Sequence, residues 1–197
     1  MRRFCARSTI LFKRILTLAL AAVIIAAAGM LAWEHFLRPQ IELARYPIAF
    51  SEHVERYAVE AGVPREIVYA VILTESGFDP AAVSAVGAKG LMQLMDDTND
   101  WIALMTGEDA SPERIFEPEL NIRRGVWLLA RLYRQFGGWR EALAAYNAGI
   151  GRVQSWLENP DYTDDGRTLA AIPIGETRAY VERVMRAAER YRELYFS

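Results

Sequence analysis

The pattern of apolar and polar positions separates the chain into two parts. Residues Ile15 to Trp33 form a run of nineteen positions without a charge, which is long enough to cross a bilayer as a helix. Five basic residues and no acidic residue precede Glu34, so the positive-inside rule predicts that the remainder of the chain lies outside the cytoplasm. A cleaved signal peptide is the alternative, because Ala26 to Ala28 offer a small-residue cleavage site. We expect an uncleaved anchor.

After this run, apolar residues recur at helical spacing, and no stretch alternates long enough to predict a strand. We therefore expect an all-α fold, with one N-terminal transmembrane helix before a domain of six to eight helices. The predicted segments are a basic N-terminus (1–14), the anchor or signal segment (15–33), a tether (34–46) and the globular domain (47–197). Pro39 and Pro47 predict that no continuous helix crosses the tether.

The domain's helices follow from caps, prolines and glycines. Predicted helices run over Ser51–Ala61, from Pro64 through Glu75, within Leu91–Met105 in one or two pieces, and over Glu119–Phe136, Trp139–Tyr146, Arg152–Leu157 and Glu176–Tyr195. The segment from Gly77 to Gly90 is predicted to be a loop.

Glu75 stands out within this pattern. Ile67, Val71 and Glu75 are spaced i, i+4, i+8, so they share one helical face, and a carboxylate on an apolar face is costly to bury. Glu75 also falls in the last turn before Gly77, where the helix dipole disfavours negative charge. Both effects raise a carboxyl pKa toward neutrality, which suits a general acid. The alternative is a glutamate that points into solvent at a helix end.

Charge and composition exclude several other functions. From Glu34 onward there are 18 basic and 25 acidic residues, a net charge of −7, which argues against nucleic acid as a partner. Cys5 is the only cysteine and precedes the apolar run, so we expect neither a lipidated anchor nor a disulfide. With two histidines and no HExxH pattern, the sequence predicts no metal site and no cofactor.

Three further motifs follow Glu75-Ser76 in order. They are the GAKGLMQLM stretch ending at Met95, the AYNAG segment ending at Gly149, and the ending IPIGETRAYV from Ile172. Each alone has an ordinary structural explanation. Together they resemble the Slt-type lytic transglycosylases, bacterial enzymes with a lysozyme-like α-helical domain, and the similarity runs from about Val59 to Tyr191.

The resemblance implies a role for seven residues. Glu75 matches the family's catalytic glutamate. The residues that match substrate-contacting or site-lining positions are Ser84, Gln93, Met95, Tyr146, Asn147 and Tyr180. Where the family has a proline after its GLMQ segment, this chain has Asp96, which predicts a different helix start and an altered rim of the cleft. Trp101, Trp139 and Trp156 are candidates for sugar stacking or for core packing.

The implied activity is cleavage of the bond between N-acetylmuramic acid and N-acetylglucosamine with formation of a 1,6-anhydro end. The implied partners are peptidoglycan glycan strands and the bacterial inner membrane, with the domain in the periplasm; the sequence names no envelope machinery. A goose-type lysozyme is the nearest alternative and needs a second carboxylate, for which Asp79, Asp96 and Asp97 are candidates. A non-catalytic peptidoglycan-binding module and a plain membrane-anchored interaction domain are alternatives of another class.

Overall fold

The computed structural model describes residues 2–110 and 112–197, apart from the side chains of residues 2–13 and 15. The chain divides into two compact units, Met1–Pro47 and Ile48–Ser197. Most side chains of the predicted basic N-terminus, Cys5 among them, lie outside the described residues.

The first unit is helical along almost its whole length. Helix α1 spans Arg2–Ala32, a π-helical segment spans Trp33–Leu37, and helix α2 spans Arg38–Arg45. The predicted break at Pro39 is therefore wrong. Pro39 lies in the first turn of α2, where a missing N–H costs little, and the wider turn of the π segment precedes it. Leu16–Arg45 is long and apolar enough to cross a membrane, a test that a signal sequence also passes.

The second unit is a helical domain. Its helices are α3 Ser51–Ala61, α4 Arg65–Ser76, α5 Asp96–Thr106, a 3₁₀ turn Pro112–Phe116, α6 Pro118–Phe136, α7 Trp139–Ala148, α8 Ile150–Leu157, α9 Gly175–Tyr191 and a π turn Arg192–Phe196. Among the described residues the only β contacts are two isolated bridges, which join Val83 to Lys89 and Lys89 to Leu94. The predicted all-α class is confirmed.

Helix α4 lies at the centre of this domain. All six residues from Ile67 to Ile72 are buried, and a helix that is apolar on every side must be covered on every side. Helices α3 and α9 pack against α4, while α6 packs against α3 and α7. The carboxyl-terminal turn of α4, which carries Glu75, therefore emerges directly from the core.

The segment from Leu91 to Leu94 is not helical, so helix α5 begins later than predicted, at Asp96. Gln93 adopts the left-handed conformation with φ 48°, which a continuous α-helix does not contain. The main-chain N–H and C=O of Met92 are bonded to side chains of other helices. These bonds replace the helical ones and hold the segment as a turn.

Candidate active site

Glu75 is half-buried in the last turn of α4. The hydroxyl of Tyr180, from α9, donates a hydrogen bond of 2.7 Å to Glu75 Oε1. Burial raises the pKa of the Glu75 carboxyl to about 7, although the Tyr180 hydrogen bond and the positive charge of Arg183 both act to lower it. Desolvation outweighs the two groups that favour the carboxylate, so the site holds a carboxyl that exchanges its proton near neutral pH.

Two tyrosines accompany this carboxyl. Tyr180 is only 3% exposed, and Tyr146 of α7 is half-buried. Burial, together with the negative charge of Glu75, raises the pKa of both hydroxyls well above the ordinary value. Both therefore stay protonated and act as hydrogen-bond donors. Tyr146 and Tyr180, which are 71 and 105 positions away from Glu75 along the chain, are thus within electrostatic reach of it.

The segment 89–94 is fastened to three helices around Glu75. Ser76 Oγ, at the end of α4, donates to the carbonyl of Leu91 at 2.9 Å. The Tyr146 hydroxyl donates to the carbonyl of Met92 at 2.7 Å. From α6, Asn121 Oδ1 accepts the N–H of Met92 at 2.7 Å, and its Nδ2 donates to the carbonyl of Lys89 at 3.1 Å. Each helix therefore supplies a polar side chain to this turn.

Two glycines permit the close approach. Gly90 has φ 75°, and a Cβ there would lie 2.4 Å from Asn121 Nδ2. A Cβ on Gly125, in the middle of α6, would lie 2.8 Å from Met92 Cβ. Real Cβ atoms do not approach this closely, so the turn packs against α6 only because these two positions lack side chains.

These motifs match a known family over most of the helical domain. Residues 52–168 match the Transglycosylase SLT domain family. The chain belongs to this family. The SLT domain contains Glu75, the segment 89–94 and Tyr146, while Tyr180 follows the matched residues.

Individual relatives bear out the same assignment. The chain is 37% identical over 169 residues to soluble lytic murein transglycosylase of Escherichia coli K12, an alignment that covers 84% of this chain and 25% of that protein. It is 30% identical over 166 residues to membrane-bound lytic murein transglycosylase C of Yersinia pestis, covering 71% of this chain and 45% of the relative. The chain therefore spans about a quarter of the length of the soluble relative.

Solved structures share the fold of the SLT domain. The 70 kDa soluble lytic transglycosylase of Escherichia coli superposes with a TM-score of 0.71 at 34% identity, over 79% of this chain and 26% of that one. An inactive mutant of lytic transglycosylase Slt from Pseudomonas aeruginosa, in which a glutamate is replaced by glutamine, gives 0.67 at 35% identity, over 77% of this chain and 25% of that one.

Some predicted site residues of the SLT domain use their polar groups inside the loop. Gln93 Nε2 donates to the carbonyls of Gly90 and Ala82, at 2.9 and 3.1 Å. Ser84 Oγ accepts the N–H of Ala88 at 3.0 Å. These bonds show that both side chains stabilise the loop over residues 82–94.

Met95 and Asn147 are the two predicted site residues with the most exposed side chains. Met95 is 42% exposed and precedes the first turn of α5, where its carbonyl accepts the N–H of Asn99 at 2.8 Å. Asn147 lies in the last turn of α7, one residue after Tyr146. Among the seven predicted residues, described hydrogen bonds and electrostatic effects join Glu75, Tyr146 and Tyr180 directly.

The carboxylates considered for a lysozyme mechanism are all exposed. Asp79 accepts the N–H of Ala81 at 2.9 Å, which closes a turn after α4. Asp96 pairs with Lys89 at 2.7 Å. Asp97 lies beside Asp96 in the first turn of α5, where the helix dipole favours negative charge. A local hydrogen bond, an ion pair and a position at a helix N-terminus therefore explain the presence of these three aspartates.

Sequence reasoning assigned no role to Asn121, Gly125 or Arg183. A signal existed for the first two, since an amide and a glycine interrupt the apolar positions of a long helix, and such positions mark close packing. Arg183 lies one helical turn after Tyr180 on α9. It carries no distinguishing pattern, because arginine is common on the exposed faces of helices.

Proposed function

We propose that this protein is a lytic transglycosylase of peptidoglycan. It cleaves the β-1,4 bond between N-acetylmuramic acid and N-acetylglucosamine and leaves a 1,6-anhydromuramoyl end. The observation that carries the proposal is the half-buried carboxyl of Glu75, with a pKa of about 7 and a hydrogen bond from Tyr180, at the end of the buried helix of an SLT domain.

The first step uses Glu75 as a general acid. A carboxyl with a pKa near 7 is still protonated in a large fraction of molecules at neutral pH, and transfers its proton readily. Glu75 protonates the glycosidic oxygen, and the bond from that oxygen to C1 of the muramic acid breaks. The N-acetyl carbonyl of the same sugar stabilises the positive charge that develops at C1.

The second step uses the same residue as a general base. Glu75, now a carboxylate, accepts the proton of the C6 hydroxyl as that oxygen attacks C1. A new C1–O6 bond closes the anhydro ring, and Glu75 recovers its proton. Most glycosidases place two carboxylates around the bond; here one carboxyl performs both transfers, and no water is consumed. The hydrogen bond from Tyr180 holds the carboxyl in place for both.

The remaining predicted residues are proposed to contact the glycan. Met95 and Asn147 present exposed side chains to a ligand. The hydroxyl of Tyr146 donates to Met92, so only its oxygen lone pairs remain for a sugar. Ser84 and Gln93 shape the loop through their own hydrogen bonds and have remaining polar capacity for the substrate.

We also propose that the protein is anchored in the bacterial inner membrane by its N-terminal helix, with the SLT domain in the periplasm. The uncharged run from Ile15 to Trp33 and the basic residues before it support this topology. The names of the relatives include both soluble and membrane-bound transglycosylases, so the alternative is a soluble periplasmic enzyme released by signal cleavage.

The decisive experiment is mass spectrometry of the products from purified peptidoglycan. We expect muropeptides that end in the 1,6-anhydro sugar and are lighter by one water than hydrolysis products. Reducing ends as the main product would replace the proposal with a lysozyme, and Asp79, Asp96 and Asp97 would then be tested as the residue that positions water. Binding without any cleavage by the wild-type chain would indicate a peptidoglycan-binding module.

A further inference from the structure

Helix α6 carries a stripe of arginine and tryptophan on the side turned away from the candidate site. Arg123, Trp127, Arg131 and Arg134 follow one another at spacings of four, four and three residues, so they share one face of the helix. We call these four residues the outer face of α6.

The outer face is separate from the Glu75 site. Asn121 and Gly125 hold the segment 89–94 against α6. At about 100° per residue, Trp127 and Arg134 lie on the opposite side of the helix axis from these two residues. A ligand bound on the outer face therefore leaves the surroundings of Glu75 open.

The charge of this region opposes that of the rest of the domain. Residues 120–157 contain six arginines and a single acidic residue, whereas residues 34–197 as a whole have a net charge of −7. The acidic residue is Glu141, which is buried and accepts the N–H of Leu169 at 2.9 Å. Glu141 is therefore unavailable to neutralise the outer face, and the carboxylates near that face come from other segments: Glu108, which pairs with Arg123, and Glu60, which pairs with Arg56.

Of the three arginines on the outer face, two have no carboxylate partner among the described residues. Arg123 pairs with Glu108 at 2.7 Å. Within the described part of the chain no carboxylate lies within ion-pair distance of Arg131 or Arg134. The guanidinium of Arg131 instead lies 5.2 Å from the ring of Trp101 and 5.9 Å from that of Trp127. Its Nε is buried and has no hydrogen-bond partner in the part of the chain that the structure describes. The rings hold this cation in a fixed orientation.

Two shallow grooves adjoin the unpaired arginines. One, of about 290 Å³, lies between α3 and α6 and includes Tyr57, Trp127 and Arg134 in its lining. The other, of about 300 Å³, is lined by Arg131, Arg134 and Gln135. Arg134 lines both grooves, and together their linings contain aromatic, amide, carboxylate and guanidinium groups. Glu60 also lines the first groove, and its carboxylate is paired with Arg56 at 3.0 Å.

We propose that the outer face of α6 is a second, non-catalytic binding site for the peptide stems of peptidoglycan, whose free carboxylates pair with Arg131 and Arg134. The inference rests on the proposed function, which supplies this polymer as the substrate. Guanidinium groups bind carboxylates through paired N–H donors, and the tryptophans pack against the apolar parts of a short peptide. A long polyanion would extend beyond the outer face and be repelled by the net charge of −7 that residues 34–197 carry. A short peptide with one or two carboxylates would contact only the positive outer face, so we favour it as the ligand.

The test measures binding without turnover. The full chain carrying Glu75→Gln is purified in mild detergent, and its sedimentation with intact peptidoglycan sacculi is compared with that of the same chain carrying Arg131→Gln and Arg134→Gln. A matched control carries Arg167→Gln and Arg186→Gln, which remove the same charge from exposed positions elsewhere. A second set of sacculi has its carboxylates converted to amides with a carbodiimide and ammonia, which keeps the peptides and removes their charge.

We expect Arg131→Gln with Arg134→Gln to weaken binding to intact sacculi about tenfold, the ratio expected for losing a net favourable charged contact. We expect the control to bind as the parent does, and the amidated sacculi to show no difference between the three proteins. Circular dichroism checks folding, and Arg134→Gln alone, at an exposed position, repeats the test if the double variant is unstable.

Three results would overturn the proposal. These are equal binding by the outer-face variant and the parent, an equal loss in the control, and a loss on amidated sacculi as large as on intact ones. The first result would show that the outer face does not bind sacculi. The second would show that binding depends on the overall charge of the protein, and the third that the ligand is the sugar rather than the carboxylate. None of them bears on whether the wild-type chain forms anhydro products, so the two proposals fail separately.

Discussion

At the scale of single residues, Glu75 is the group whose protonation is tied to the stability of the fold. Its pKa is raised from 4.5 in the unfolded chain to about 7 in the folded one. The folded state therefore binds more protons between these values, and its stability falls as the pH rises through them. Above pH 7 the ionised carboxyl costs up to about 3 kcal/mol, the free energy that a shift of this size represents.

Glu75→Gln should abolish lysis and leave a stable protein. Glutamine keeps the size of the side chain but neither donates nor accepts the proton, and general acid–base catalysis is worth roughly 10²–10⁴-fold; loss of both transfers should reach the upper part of that range. The melting temperature should match the wild type near pH 4.5 and exceed it at pH 8, because only the wild type ionises. A variant that keeps most of its lytic activity would assign the chemistry to another residue, and one that unfolds would make Glu75 structural.

Tyr180→Phe should shift the pH dependence of the reaction upward. The Tyr180 hydroxyl donates to Glu75 and lowers its pKa, so removing it favours the protonated carboxyl. The alkaline limb of the rate profile, where the acid is lost, should move from about pH 7 to a higher value. Tyr69→Phe is the matched control, because Tyr69 is fully buried and its hydroxyl has no hydrogen-bond partner among the described residues. An unchanged limb, or a shift to lower pH, would contradict the role given to Tyr180.

The sequence predicted part of this site from physical pattern alone. The spacing of Ile67, Val71 and Glu75 predicted a raised carboxyl pKa at the end of a helix, and the structure agrees. The bond from Tyr180 was not predictable from spacing, because it joins residues 105 positions apart whose distance depends on the packing of α9 on α4. The resemblance to the family named Tyr180, but not the bond that it makes.

At the scale of secondary-structure elements, the turn over residues 89–94 shows why local pattern was insufficient. Its apolar residues continue the helical spacing of Leu91–Met105, so a helix was predicted from Leu91. Asn121 and Tyr146 bind the N–H and C=O of Met92, and these tertiary bonds outweigh the local preference. Gln93 is then held at φ 48° by its own bonds to two carbonyls.

Gly125→Ala should damage the site from a distance. The new Cβ would lie 2.8 Å from Met92 Cβ, so the turn must move away from α6, and overpacking of this kind costs about 1–3 kcal/mol. We expect a lower melting temperature and reduced lytic activity, although alanine favours a helix over glycine by about 1 kcal/mol. The measurement is thermal unfolding beside muropeptide release.

Gly151→Ala is the control for this substitution. Gly151 also lies in a helix, α8, and a Cβ there would meet nothing within 4 Å. The same change should therefore keep activity and leave the melting temperature equal or higher. If the two variants behave alike, the close contact between Gly125 and Met92 has no part in holding the turn.

At the scale of the whole molecule, the chain joins an SLT domain to a long N-terminal apolar helix. The stretch shared with this chain makes up 25% of the soluble Escherichia coli relative and 45% of the membrane-bound Yersinia pestis relative, so these two relatives differ in how much chain accompanies it. Composition predicted an apolar helix from the uncharged run Ile15 to Trp33, and the structure has a helix there whose most apolar 18-residue window is not buried. Composition does not separate an anchor from a cleaved signal, because both need an apolar run after basic residues.

The N-terminus of the mature protein therefore tests the predicted membrane topology. If the run from Ile15 to Trp33 is an anchor, the mature chain should begin at its original N-terminus and fractionate with the inner membrane. Nineteen uncharged residues match the thickness of the hydrocarbon layer, whereas the apolar core of a signal peptide is about 7–15 residues long. Mass measurement of the protein from cell membranes decides the question, with extraction by detergent but not by high salt as the second criterion.

A mature chain that begins near Gly29 and is recovered from the soluble periplasmic fraction would show that the run is a signal peptide. In that case the substrate would have to be reached by diffusion.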